Sequence, residues 1–228
     1  MSRYITSFLF LLLCVTVTAQ RLGKEKDTAQ YKDRYGIRVG IDIVRPIYSF
    51  FDENDKGFEL VGDYRLTKRF YLAAELGYRD HTREEDFFDF TTKGQYIKAG
   101  VDYNAYTNWL GMENMIVTGL RYGFSTFNTT LNEYTINSDP FLPERIENDP
   151  VDYDNLNASW AELVLGIKVE VLHNIFLGFS FRGNVKITSS EPENFRNLYV
   201  PGFERVYVND YGFSFNYTIS YLIPFYRK

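Results

Sequence analysis

Residues 161–183 read AELVLGIKVEVLHNIFLGFSFRG, an apolar stretch that nevertheless contains charged side chains. The charges are Glu162, Lys168, Glu170 and Arg182, and bulky apolar residues alternate with charged or small residues around them. A period of two is typical of β-strands whose two faces meet different surroundings. The residues LHN separate the two alternating halves. The pattern therefore predicts a β-hairpin with a short turn at its centre.

Similar alternating runs recur along the chain from Gly36 onward. We predict eight strands, at residues 36–47, 57–66, 69–79, 94–105, 114–126, 159–171, 174–185 and 211–223. Each run has about ten residues, the length that a tilted strand needs to cross a bilayer. We find no convincing helix pattern, no glycine-rich phosphate loop and no internal repeat. After the first twenty residues no apolar run is long enough for a membrane helix.

The connections between these runs alternate in length. LTKR, the stretch at 106–113 and LHN are short, whereas 48–56, 80–93, 127–158 and 186–210 are longer. Short periplasmic turns and longer external loops are typical of outer-membrane β-barrels. The fold class that we predict is all-β, an eight-stranded antiparallel up-and-down transmembrane β-barrel with short periplasmic turns and longer extracellular loops.

The two faces of the predicted strands differ in side-chain size. One face carries nearly all the bulky apolar residues, and the other is rich in glycine and serine, for example Gly40, Gly77, Gly123 and Gly166. The interior of an eight-stranded barrel is only just wide enough to be filled by side chains. Since the bulky set would overfill it, we expect the apolar face to look outward into lipid.

The small-residue face also carries acids and bases in equal number. Because an unpaired buried charge is costly, we expect these side chains to form ion pairs that plug the lumen. This predicted network consists of Arg38, Asp42, Glu59, Asp63, Arg65, Glu75, Arg79, Lys98, Asp102, Arg121, Glu162, Lys168, Glu170 and Arg182.

The N-terminal residues predict export. MSRYITSFLFLLLCVTVTA has a basic residue, an apolar run and a small-residue ending, as a signal peptide does. We predict a removed signal peptide at 1–19, a flexible leader at 20–34 and the barrel at 35–228. Cys14, the only cysteine, follows Leu13, which is not the small residue that a lipoprotein signal needs. The net charge of −5 argues against nucleic acid as a partner.

Aromatic residues near the strand ends suit the two interfacial girdles of a membrane barrel. The predicted girdles contain Trp109, Tyr106, Phe225 and Tyr226 at the turn end and Trp160, Phe127 and Tyr48 at the loop end. Aromatic content is 18%, so chance placement is the alternative.

Catalytic chemistry finds little support in the sequence. His81 is expected in an external loop and His173 in a periplasmic turn, so the two could not share a site. The acidic residues around His81, in RDHTREEDFFDF, suit either a divalent cation or a solvated loop, and we favour the loop. Asp63 and Glu75 could form an acid/base pair, but the nearby arginines favour structural ion pairs. We predict no catalytic residues, no metal and no cofactor.

Two long loops are the candidates for recognition. The segment 127–158 mixes aromatic residues with acids and prolines, and long external loops often carry function. The segment 186–210 spaces Phe195, Tyr199, Phe203 and Tyr207 nearly regularly, so it could fold over the barrel mouth as a lid. An external ligand or protein could bind at either loop.

Several stretches carry a family resemblance. They are GIRVGIDIVRPI, GFELVGDYRLTKRFYLAAELG, WLGMENMIVTGLRYGFSTF, WAELVLGIKVE and FNYTISYLIPFYRK. The chain resembles a family of uncharacterised outer-membrane β-barrel proteins from Bacteroidota, and WLGMENM with WAELVLGIK is fairly specific. The resemblance implies an eight-stranded barrel of the porin-like superfamily and no assigned activity. Many outer-membrane proteins end on an aromatic residue, whereas here Arg227 and Lys228 follow Tyr226.

These observations predict a small plugged barrel in the bacterial outer membrane, reached after Sec-type export. We expect a monomer with a structural or surface-interaction role, whose partners are outer-membrane lipid and, during biogenesis, the barrel-assembly machinery. Two alternatives stay open: a lipid-modifying or small-ligand-transferring barrel, and a soluble periplasmic lipocalin-like binding protein.

Overall fold

The structure is a computed structural model that describes residues 32–52, 54–85, 87–107, 113–136, 145–147, 149–192, 196–207 and 209–227. The predicted signal peptide at 1–19, residues 20–31 of the predicted leader, Trp109 and Phe195 lie outside the described residues.

The described residues form long antiparallel strands with one helix between the first two. The elements are β1 (Arg34–Asp42), α1 (Val44–Phe51), β2 (Asp55–Arg65), β3 (Phe70–Glu84), β4 (Phe88–Asn104), β5 (Met115–Ile136), β6 (Arg145–Glu147), β7 (Val151–Leu172), β8 (Ile175–Ser189), β9 (Tyr199–Val200), β10 (Glu204–Arg205) and β11 (Tyr211–Arg227). In the sheet, β1, β2, β3, β4, β5, β7, β8 and β11 each pair with two others of this set, β1 pairing with β11 and β4 with β5, while β6 pairs in addition with the end of β5. The eight strands thus form a ring, which we call the barrel.

The hairpin at 161–183 is confirmed. β7 and β8 pair in antiparallel register, with Val164 opposite Arg182 and Lys168 opposite Gly178. Asn174 adopts a left-handed backbone with φ of 65°, a conformation that asparagine tolerates better than most residues. The turn is therefore short enough to fix the register of both strands.

The alternation separates the inside of the barrel from the outside. Glu162 and Val164 are 1% and 4% exposed, whereas Leu163 and Leu165 are both 49% exposed. The same contrast holds on β1, where Arg38 is buried between exposed Ile37 and Val39. Since neighbours along a strand point to opposite faces, the bulky apolar side chains form an outer belt and the charges lie inside.

Several strands are longer than the sequence predicted. The proposed loop at 80–93 is wrong, because β3 and β4 remain paired until Glu84 lies opposite Asp89. The proposed loop at 127–158 is also largely strand, since β5 and β7 pair as far as Leu131 and Val151. The sequence of these strand ends looks like that of a loop. Strands with polar residues on both faces do not alternate between apolar and polar residues, so the pattern that marks a strand is absent.

The helix α1 was not expected from the sequence. Its first turn is held by the Oδ1 of Asp42, which accepts hydrogen bonds from the backbone N–H groups of Val44 at 2.8 Å and Arg45 at 3.4 Å. Arg45 is its buried residue, while Ile47, Phe50 and Phe51 are exposed. The sequence does not indicate such a short helix, because the apolar residues that run from β1 into α1 look like a continuation of the strand. Of the described residues, none belongs to a helix both long and apolar enough to span a membrane.

Candidate functional site

The middle of the lumen is centred on Glu75, which β3 points inward. Its carboxylate lies 2.6 Å from the Nη1 of Arg182, 3.6 Å from the Nζ of Lys98 and 3.7 Å from the Nε of Arg121. All four side chains are at most 5% exposed. One acid thus joins bases from three other strands across the barrel.

Other acids neutralise the remaining charge of these bases. Glu162 lies 3.1 Å from Lys98 and 3.4 Å from Arg182, and Asp102 lies 2.6 Å from Arg121. Burying a charged base costs less free energy when the base lies between acids than when it is unpaired, because each carboxylate offsets part of the desolvation cost.

Towards the turn end, Asp63 joins two bases. It lies 2.8 Å from the Nη2 of Arg38 and 2.7 Å from the Nζ of Lys168. The guanidinium of Arg38 also lies 4.6 Å from the centre of the buried Phe176 ring. The layer combines an ion pair with a cation–π contact, which weakly hydrated guanidinium makes readily.

Arg34 closes the turn end of the lumen. It lies 2.6 Å from Glu170 and 3.1 Å from Glu113, and it donates a hydrogen bond of 2.6 Å to Asn174. The predicted network does not include Arg34, because the predicted first strand begins at Gly36. Arg34 lies two residues before Gly36, so the same alternation extended by two residues places it on the inward face.

At the loop end, a carboxylate from outside the barrel strands enters the mouth. Glu204 lies 2.7 Å from Arg45 and 3.1 Å from Arg79, and it accepts a hydrogen bond of 2.9 Å from the hydroxyl of Tyr199. Burial alone would raise the pKa of Glu204, but the attraction of Arg45 and Arg79 outweighs burial and holds that pKa well below its ordinary value. Burial, followed by the neighbouring charge of Glu204, raises the pKa of Tyr199, so its hydroxyl keeps its proton.

An aromatic cluster fills the space beside this carboxylate. We call residues 196–206 the mouth segment, because Tyr199, Val200 and Phe203 are each buried there. The Phe203 ring meets the indole of Trp160 edge-on at 5.9 Å, and its carbonyl accepts a hydrogen bond of 2.9 Å from Asn184. Within the predicted loop 186–210, residues 186–189 extend β8, and residues 196–206 cover the mouth through Tyr199 and Phe203, as the lid hypothesis expected, while Tyr207 stays exposed.

The predicted loop-end girdle is wrong for two of its three residues. Trp160 is 0% exposed and Phe127 is 3% exposed, and both pack in the mouth cluster. Trp160 shares the inward register of Glu162, so the strand alternation already contradicted a place in the girdle. Tyr48, Tyr106, Phe225 and Tyr226 are exposed, which is compatible with interfacial positions.

Every residue of the predicted lumen network lies within ion-pair distance of an opposite charge. These residues are Arg38, Asp42, Glu59, Asp63, Arg65, Glu75, Arg79, Lys98, Asp102, Arg121, Glu162, Lys168, Glu170 and Arg182. The sequence interpretation missed Arg34, Arg45, Asp55, Glu113 and Glu204. Arg45 lies on the helix and Glu204 in the mouth segment, where strand alternation gives no information.

The histidines lie at opposite ends of the barrel. His81 belongs to β3, and its ring stacks on Tyr199 at 4.2 Å with its Nδ1 3.7 Å from Asp55. His173 lies in the turn between β7 and β8. Among the described residues, no group of histidine, cysteine or acidic side chains has the arrangement of a metal site.

The fold and lumen define a small eight-stranded β-barrel with a charged, packed interior. The chain belongs to the family described as Domain of unknown function (DUF6048), whose model matches residues 1–228. Among solved structures it is similar to Ail, the attachment invasion locus protein of Yersinia pestis, with 10% sequence identity and a TM-score of 0.41. That match covers 84% of this chain and 99% of the other. No curated protein sequence matches the chain significantly.

Proposed function

We propose that this chain is a small outer-membrane β-barrel with a plugged lumen and a structural or surface-interaction role. The observation that carries the proposal is the arrangement of the wall, with exposed bulky apolar side chains outside and paired charges inside. In a soluble periplasmic binding protein this belt would lie in water, where contiguous apolar surfaces of such extent are unusual. In lipid the same belt is favourable, and wherever the strands are paired they satisfy each other's backbone groups.

The packing of the lumen supports a barrel that does not conduct. A cavity of about 50 Å³ in the middle of the lumen is lined by charged side chains that include Arg38, Glu75 and Arg182. That volume holds only a few water molecules. The mouth segment adds a second barrier at the loop end, because Phe203 and Val200 are each 1% exposed.

The external surface proposed for recognition is the extension of β5, β6 and β7 beyond the apolar belt. β6 pairs with the end of β5, with Thr135 opposite Ile146. The extension carries polar side chains on paired strands, for example Thr130, whose hydroxyl donates a hydrogen bond of 2.7 Å to Asp152. The mouth segment is less suited to recognition, since most of its side chains are committed to the barrel interior.

We also propose that the barrel acts without catalysis, cofactor or metal, as a monomer whose partners are membrane lipid and the assembly machinery. The carboxylates of the lumen face arginine or lysine, which favours structural ion pairs over proton transfer. Mass spectrometry of lipid A from a deletion strain tests this part, and an altered acyl pattern would favour the lipid-modifying alternative.

The location and the plug are tested together. We expect the protein in the detergent-extracted membrane fraction, with a gel mobility that changes on boiling. In planar bilayers we expect no steady open-channel current. Recovery in the soluble fraction without detergent would refute the membrane location, and a steady conductance would refute the plug.

The recognition role has its own experiment. Deletion of residues 137–149 removes β6 and almost all the rest of the chain that connects β5 to β7, and it leaves the barrel strands themselves intact. We expect the variant to remain heat-modifiable and to lose any binding that the intact barrel, in nanodiscs, shows to an array of glycans and extracellular proteins. Binding that survives the deletion would place recognition elsewhere.

A further inference from the structure

The barrel wall changes its construction between β1 and β11. Their pairing ends with Asp42 opposite Thr218, followed by a hydrogen bond of 2.8 Å from the Ile43 N–H to the Tyr217 carbonyl. Beyond that point the chain of β1 turns into α1, while β11 continues to Tyr211, where it pairs with β8. Within the described residues, no strand pairs with β11 on its other side over 211–217.

The helix α1 covers only part of this gap. It leans on β2, where the hydroxyl of Ser49 accepts a hydrogen bond of 3.2 Å from the Gly57 N–H. On the side of β11 a cleft of about 280 Å³ remains, with Val44 and Tyr48 on one wall and Phe213 and Phe215 on the other. We call this space the lateral cleft.

Three residues that line the lateral cleft carry buried polar atoms without a hydrogen-bond partner among the described residues. Asp42, Arg45 and Ser214 line it and are 1%, 7% and 7% exposed. The Oδ2 of Asp42, the Nε of Arg45 and the Oγ of Ser214 have no hydrogen-bond partner among the described residues. The distance of 3.7 Å between that Nε and Oδ2 is too long for a hydrogen bond. Buried polar atoms without partners are costly, so a ligand that satisfies them is favoured.

The outer end of the cleft is apolar. Phe213 and Phe215 are 56% and 63% exposed, and on the helix Tyr48, Phe50 and Phe51 also face outward. An apolar chain can lie against these rings without leaving the membrane. The cleft therefore joins an apolar outer surface to a polar inner end, as an amphipathic ligand requires.

The polar end favours a neutral head group. Its lining contains both signs of charge, with Arg45 and Arg79 facing Asp42, Asp55 and Glu204. Such a near balance gives no advantage to a strongly charged group. The free atoms comprise a donor on Arg45, an acceptor on Asp42 and a hydroxyl on Ser214 that can do either. A hydroxyl or an amide offers the matching donor and acceptor.

We propose that the lateral cleft binds a lipid of the surrounding leaflet through a neutral head bearing a hydroxyl or amide. The head lies among Asp42, Arg45 and Ser214, and the chain passes between Tyr48 and Phe213 into the membrane. Complete ligand pockets commonly measure about 300–1,000 Å³, so the cleft accommodates the head and the first part of a chain. This inference rests on the proposed membrane location and adds a ligand class to it.

Photo-crosslinking tests the proposal on the folded barrel in maltoside micelles. The probe is N-lauroyl ethanolamine with a diazirine on its chain, and the comparison probe is the matching methyl laurate, which lacks a head-group donor. We expect the first probe to label peptides of α1 and residues 211–217 preferentially, and the ester to label the apolar belt more evenly. Even labelling by both probes would overturn the proposal.

Two variants fill the cleft. Val44→Trp and Ser214→Leu should each reduce labelling of residues 211–217 by about tenfold or more, equivalent to the loss of one good contact. Leu163→Trp, on the apolar face of β7, is the matched control and should leave the labelling unchanged. If Val44→Trp does not fold, as judged by heat-modifiability, Ser214→Leu decides. Undiminished labelling in a folded cleft variant contradicts the proposal, whereas a barrel found soluble without detergent contradicts the membrane location itself.

Discussion

The middle of the lumen and its mouth are filled in different ways by the same barrel. In the middle, long charged side chains from the strands meet at Glu75 and Asp63, and the described residues that line the central cavity all belong to barrel strands. At the mouth, residues 196–206 fold inward, so that Phe203 packs on Trp160 and Glu204 meets Arg45 and Arg79. The middle of the lumen is filled by side chains of the barrel strands themselves. The mouth is filled by a separate segment that is held by its contacts with those strands.

This difference has consequences for stability and opening. Ion pairs of the middle cannot separate without pulling strands apart, because their partners sit on different strands of one hydrogen-bonded ring. The mouth segment contributes only the short pair β9 and β10 and can leave by local unfolding. We therefore expect substitutions in the middle to reduce the global free energy of unfolding, and substitutions in the mouth to affect mainly local opening.

The largest expected effect is that of Glu75→Leu. It leaves Arg182, Lys98 and Arg121 with too few acids, and breaking a buried ion-pair cluster costs about 3–5 kcal/mol. The global free energy of unfolding, measured by urea titration in lipid vesicles, should fall by that amount. Glu84→Leu, on the same strand but exposed, is the control and should change little. A loss for Glu75→Leu no greater than that for the control would mean that the middle layer does not hold the barrel.

Phe203→Ala addresses the mouth directly. Removal of a buried phenylalanine side chain costs about 3 kcal/mol or more. Here we expect this cost to destabilise the closed conformation of the mouth segment. Hydrogen exchange should rise across residues 196–207 while the strands at Glu75 remain protected. The exposed Tyr207→Ala is the control. Equal loss of protection in both regions would show that middle and mouth unfold as one unit.

Two adjacent residues of β7 test which face of the barrel wall points outward and which faces the lumen. Leu165→Arg places a charge on the apolar belt and should cost about 2–4 kcal/mol near the bilayer centre. Val164→Ser faces the lumen, where the loss of apolar contact should cost about 1 kcal/mol. Refolding titrations in vesicles measure both. Similar costs for the two variants would contradict the assignment of inside and outside on this strand.

The smallest expected effect is the pH dependence of the mouth. Because the pKa of Glu204 is lower when folded, its contribution is present above its ordinary pKa of about 4.3 and is lost as pH falls through the folded pKa. Glu204→Gln should weaken protection of residues 196–207 by about 1 kcal/mol at neutral pH. The difference between wild type and variant should shrink below about pH 4. A difference that persists in acid would mean that the charge of Glu204 does not hold the segment.

The strands and the lumen charges of the middle were predictable for one physical reason. A strand with an apolar outer face and a narrow, polar lumen on its other side must alternate, so the spacing alone assigns Glu162, Lys168 and Arg182 inward. The same rule gave the hairpin at 161–183. The rule is unreliable where both faces of a strand meet polar surroundings, and for that reason it predicts loops at the outer ends of β3, β4, β5 and β7.

The mouth was only partly predictable. Aromatic spacing in 186–210 indicated a lid, but nothing local indicated that Glu204 would meet Arg45 and Arg79, which are distant in sequence. Gly202 adopts a φ of +83° and lies against the ring of Tyr96, where a Cβ would overlap it. Such close approaches depend on which strands face each other across the barrel, and neither composition nor period contains that information.

The sequence by itself determined the all-β class, the hairpin order and which side chains point inward, because period-two alternation follows from strand geometry. Tertiary structure alone decided which charges pair, how α1 interrupts the wall beside β11, and how residues 196–206 close the mouth. These features arise from contacts between segments far apart in the chain. They depend on the shape of the closed ring, which becomes defined only when all eight strands have paired.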